Sequence, residues 1–136
     1  MLYSKEVIDN VLDWLETNST PAYNFLKEKN YREWIAVVEA IFVTDKSFEW
    51  LVNNKFKDMA AFVKAVEGER SALDHLISNK QAHLAATANA VNRDPKAEQW
   101  LISNKLGHYA RLAEVIRIKL EKMSDSDLGY LFRGPF

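Results

Sequence analysis

The chain has 136 residues, 48% hydrophobic and 12% aromatic, which is enough apolar material for one domain with its own core and too much for a disordered chain. It contains no cysteine, so a disulfide framework and a thiolate zinc site are both excluded, and three histidines are the strong transition-metal ligands that remain. A net charge of −1 argues against general nucleic-acid binding, which draws on a basic excess.

Residues 4 to 16 read as a helix with Val7, Ile8, Val11, Leu12 and Leu15 on one face and Asp9, Asp13 and Glu16 on the other. The opening Met1-Leu2-Tyr3-Ser4-Lys5-Glu6 lacks the basic-then-apolar pattern of a secretory leader. No apolar run reaches the ~18–20 residues that span a bilayer, so a cytoplasmic protein with no membrane partner is expected.

Beyond this segment a repeat governs the sequence. Trp50-Leu51-Val52-Asn53-Asn54-Lys55, His75-Leu76-Ile77-Ser78-Asn79-Lys80 and Trp100-Leu101-Ile102-Ser103-Asn104-Lys105 begin 25 positions apart, and one step back lies Phe25-Leu26. Leu26, Leu51, Leu76 and Leu101 are identical, and further apolar columns keep the register: Ile35, Ala60, Ala85, Ala110, then Val38, Val63, Ala88, Ala113, then Ile41, Val66, Val91, Ile116. A fixed period with apolar columns is the mark of stacked units that cannot bury their faces alone.

Each unit opens on a short helix announced by Thr20-Pro21, Asp45 or Asp94-Pro95, where a capping side chain or an early proline suits the first turn. That helix stops near Asn54, Asn79 and Asn104, because asparagine tolerates the left-handed conformation that ends helices. A second helix is predicted from Lys55, Lys80 and Lys105 onward, with Met59, Phe62, Val63 and Val66 spaced i, i+3, i+4, i+7 in the second unit. Gly68 releases the chain from that unit. The last helix, about Leu106 to Met123, is apolar on two sides, and the tail supplies Leu128, Leu131 and Phe132 to cover Leu112, Val115 and Ile118, with Ser124 or Asp125 capping a short turn between them.

The expected architecture is therefore all-α: a right-handed solenoid of four 25-residue helix pairs in a single domain. Residues 1–24 form an N-terminal cap, 25–49, 50–74, 75–99 and 100–124 the repeats, and 125–136 a C-terminal cap. This resembles the helical-repeat class, whose tetratricopeptide and HEAT members stack helix pairs in the same manner. The unit is shorter than the 34 residues of tetratricopeptide repeats and the roughly 40 of HEAT repeats, and their signature residues are missing. The resemblance thus implies an architecture and carries over no functional residues.

Three columns could carry chemistry. Lys55, Lys80 and Lys105 recur where helix N-termini attract anions, and direct helix packing sets such residues about 9–10 Å apart in a row. Asn54, Asn79 and Asn104 precede them and could form a side-chain ladder. Glu33, Asp58, His83 and His108 share a column with suitable ligand atoms for zinc, but the remaining units lie too far along a stack to close a site, so no metal or cofactor is expected. His75 stands among Phe25, Trp50 and Trp100, which suggests a half-buried packing role. No nucleophile elbow, phosphate loop or His-Glu-x-x-His occurs, so an enzyme is not expected.

Charge is uneven along the chain: residues 1–74 hold 13 acids and 9 bases, residues 75–136 hold 6 acids and 9 bases, and the two ends of a stack should differ in potential. The functional reading is a protein–protein interaction module that holds another protein or a peptide on its curved surface, the alternative being a binder of a small anionic ligand along the lysine row.

Overall fold

The computed structural model describes residues 2–130, with side chains as far as residue 124. Among these there are nine helices and no strand: α1 (Lys5–Thr17), α2 (Thr20–Glu28), α3 (Arg32–Phe42), α4 (Asp45–Asn53), α5 (Lys57–Val66), α6 (Arg70–Ser78), α7 (Ala82–Val91), α8 (Pro95–Ser103) and α9 (Gly107–Tyr130). The 25-residue period of the sequence is the period of the backbone. Helices α2, α4, α6 and α8 begin at 20, 45, 70 and 95, and α3, α5, α7 and α9 at 32, 57, 82 and 107. Neighbouring helices pack on one another throughout, as a helical repeat requires.

Local chemistry sets the boundaries, one residue away from where the sequence put them in two cases. The N-cap of α2 is Ser19, whose hydroxyl accepts from the Ala22 N–H, and that of α4 is Thr44, which accepts from Lys46. Asp94 caps α8 as expected. At the other end of α4, α6 and α8 the left-handed residue is the lysine and not the asparagine, and after α2 it is Asn30 at the same register. Asn30, Lys55, Lys80 and Lys105 have φ between 61° and 67°, whereas Asn54, Asn79 and Asn104 keep φ near −98°. The Phe56 N–H reaches back to the Leu51 carbonyl and the Lys55 N–H to Val52, the paired bonds of a Schellman turn, and the same pair recurs at Gln81/Lys80 and Leu106/Lys105. Each asparagine instead turns its side-chain amide back onto the carbonyl four residues earlier, Trp50, His75 or Trp100, at 2.8 Å. The following helices therefore start at Lys57, Ala82 and Gly107, two residues later than read from the sequence.

Leu26, Leu51, Leu76 and Leu101 are each 0% exposed, wedged between helices. The odd-numbered helices are the inner layer. Trp34, Met59, Leu84 and Tyr109 stand at one register of α3, α5, α7 and α9, and Val37, Phe62, Thr87 and Leu112 stand one turn further on; all eight are buried. Trp34 meets Phe62 edge to face at 6.2 Å, so the layers touch across helices.

An open stack has two separate ends, and here the ends meet. Helix α1 packs on α3 and also along α9, so α1, α3, α5, α7 and α9 close a circuit around one core, with α2, α4, α6 and α8 outside it. The backbone N–H of Tyr3 donates to the Tyr109 hydroxyl at 2.9 Å, and Arg111 of α9 reaches Glu16 of α1 at 2.7 Å. Arg111 occupies the register that holds alanine in the other inner helices, Ala36, Ala61 and Ala86. Glu16 from the more acidic first half of the chain thus meets Arg111 from the more basic second half.

Helix α9 runs unbroken to Tyr130, past the Ser124 or Asp125 cap expected from the sequence. The expected contacts of Leu128, Leu131 and Phe132 lie outside the described side chains and residues.

Candidate functional site

The inner helices begin at one end of the ring, and Tyr3 lies across that end. Its hydroxyl donates to the Glu33 carboxylate at 2.7 Å, and its ring stands 5.3 Å from Trp34 and 6.1 Å from Tyr31, edge to face in both cases. Burial and the adjacent Glu33 carboxylate push the Tyr3 phenol far above its ordinary range, and burial pushes Tyr109 up to about 12 despite the N–H it receives from Tyr3.

The column of Glu33, Asp58, His83 and His108 sits around this same mouth. Glu33 and His83 are buried and Asp58 and His108 half-buried. His83 and His108 both pack against the Tyr109 ring, at 5.2 and 4.8 Å. Among the described residues no group of three or more acidic and histidine side chains converges on a point where a metal ion could be held.

The lysines and asparagines all lie exposed on the rim of the mouth. The backbone N–H groups of Lys55, Lys80 and Lys105 are already bonded, at 3.1–3.2 Å to Val52, Ile77 and Ile102, and offer nothing to an anion. Each lysine sits in the turn between an even-numbered helix and the odd-numbered helix that follows it, and the odd-numbered helices pack on one another. Beside them an unforeseen column surfaces. Val52, Ile77 and Ile102 are 45%, 57% and 51% exposed, one on each of α4, α6 and α8, with Trp100 nearby at 42%. The signal was in the sequence as the residue after each buried leucine.

Two of the six rim residues, Lys55 and Asn79, are brought together in a cleft of about 310 Å³ between the α4–α5 turn and the α6–α7 turn. Lys57, Asp58, His75 and Gln81 supply its other polar walls, and Tyr3, Phe56, Met59 and Leu84 its apolar ones. Within it His75 is half-buried as expected, and its Nε2 lies 3.0 Å from Asp58 Oδ1 while Asn79 Nδ2 lies 3.4 Å from its Nδ1. A carboxylate on Nε2 and an amide on Nδ1 fix the ring with Nε2 as the donor.

No protein-family model, curated protein or solved structure matches this chain. Its chemistry has to be read from the rim and the cleft. Among the described residues no helix is long and apolar enough to cross a membrane.

Proposed function

We propose that this chain is a protein-interaction module, four helix-pair repeats coiled in the right-handed sense, whose contact surface is the rim of the mouth. The ring has turned its inner surface into core, so a groove inside the curve is no longer the natural place for a partner. One observation supports the rim. In α4, α6 and α8 an aliphatic side chain is about half exposed at the same register, Val52, Ile77 and Ile102, and a lysine follows it three residues later. An apolar side chain held in water gains nothing for the fold, whereas alternation of apolar and basic groups suits a partner surface that alternates apolar and acidic ones.

The partner in this reading is another protein with an acidic, apolar face, met in the cytoplasm, and the role is binding rather than catalysis. The test compares the immobilised protein with V52S/I77S/I102S and K55E/K80E/K105E variants, all six positions being exposed. A protein retained by the parent, lost from both variants and released by raised salt supports the reading. Equal retention by all three chains sinks it.

A further inference from the structure

Position 75 is where the repeat departs from its own pattern. In the first two units the aromatic residue before the buried leucine stacks on the ring six residues later: Phe25 on Tyr31 at 6.2 Å and 17°, and Trp50 on Phe56 at 5.7 Å and 12°. The third unit has His75 and Gln81 in those places. The imidazole turns to Asp58 instead of covering a ring, and the cleft opens there, against Phe56.

We propose that this cleft binds a small aromatic anion, its ring taking the place of the missing aromatic side chain and its acid group meeting Lys55 and Lys57. The proposal shares Lys55 with the rim reading and rests otherwise on residues inside the cleft, so K57Q alone tests it apart from the rim. Phe56, Met59 and Leu84 give a planar apolar group a wall and a floor, and Phe56 is already braced from behind by Trp50. His75 is held at both ring nitrogens, so it faces the cleft as a fixed plane rather than a loose side chain. Charge sets the sign of the ligand. Among the described residues neither the Lys55 nor the Lys57 ammonium has an ion-pair partner, while the one carboxylate of the cleft, Asp58, is engaged by His75. An aromatic cation or a neutral ring leaves both ammonium groups unanswered; a carboxylate one short arm from the ring answers them.

The test is a titration of the isotope-labelled full chain followed by NMR, with indole-3-propionate as probe and indole-3-propanamide as its neutral counterpart. Expected are shifts of the Phe56, Asn79 and Leu84 signals and of the His75 imidazole, with the amide binding roughly tenfold or more weakly than the acid. The His75→Trp variant puts an aromatic ring back in the column of Phe25, Trp50 and Trp100, fills the cleft and abolishes the shifts; a K55Q/K57Q variant weakens the acid and leaves the amide unchanged. Absence of shifts at millimolar probe, shifts scattered outside the cleft, equal binding of acid and amide, or full binding by a folded His75→Trp protein overturns the proposal. Should His75→Trp fail to fold, unchanged acid binding by K55Q/K57Q overturns it equally.

Discussion

The Tyr3 backbone N–H and the Tyr109 hydroxyl, 106 residues apart in the chain, form one buried hydrogen bond of 2.9 Å. The first residues of the chain are fastened to the last helix by it, and the mouth of the ring is closed by the same tyrosine. Replacing Tyr109 with phenylalanine keeps the packing and removes the acceptor, leaving the Tyr3 N–H buried without a partner. The expected loss is about 1–3 kcal/mol of unfolding free energy, measured by urea titration. A loss within error of zero means that the strap at the mouth is free to move.

Alkaline pH should act on the same pair. The Tyr109 phenol ionises at about 12 in the fold against 10.0 for an ordinary tyrosine, so between those values the folded chain keeps a proton that the unfolded chain loses. Stability from this residue is complete below pH 10 and disappears as the pH rises through 12, a loss on the order of 2–3 kcal/mol, with Tyr3 acting in the same direction. Melting temperatures between pH 9 and 12 for the parent and Tyr109→Phe check it: the parent should fall more steeply.

Leu76 is 0% exposed at the register shared with Leu26, Leu51 and Leu101. Truncation to alanine is expected to cost about 2–5 kcal/mol, the range for a leucine in a core that cannot collapse around the gap. A cost below about 0.5 kcal/mol in the same urea measurement contradicts the packing described.

Lys80 holds φ of 61°, a conformation that a side chain with a Cβ resists. Lys80→Gly should therefore raise stability by up to about 1 kcal/mol, visible as a higher melting temperature. Asn79→Ala, which removes the amide bond to the His75 carbonyl, should lower it by about 0.5–1.5 kcal/mol. Opposite signs at adjacent residues separate the left-handed position from the capping side chain.

The periodic part of the fold was legible because it is local. Aligned leucines, turns and helix starts repeat every 25 residues, and each unit carries its own copy of the instruction. Asparagine was favoured over lysine for the left-handed position on intrinsic preference, but the Schellman turn that ends at Phe56 fixes which residue must be left-handed, and that is Lys55. Closure was not legible. Whether α1 reaches α9 depends on the rotation accumulated over every intervening unit, which no single residue states; the one local trace is Arg111 in place of an alanine, meaningful only once Glu16 is beside it. The cleft was half visible, because His75 stood out in an aromatic column, but its bond to Asp58 crosses from one unit to the next.

A closed circuit counts its members, as an open stack does not. Removing one 25-residue segment from a linear array leaves a shorter array; removing residues 50–74 here takes α5 out of the circuit and leaves the remaining inner helices to close with a gap or a different curvature. The number of inner helices is thereby tied to the contact between α1 and α9. Because the contact that joins the ends waits for the whole chain, the protein should fold as one cooperative body, its amides becoming exchangeable together rather than unit by unit.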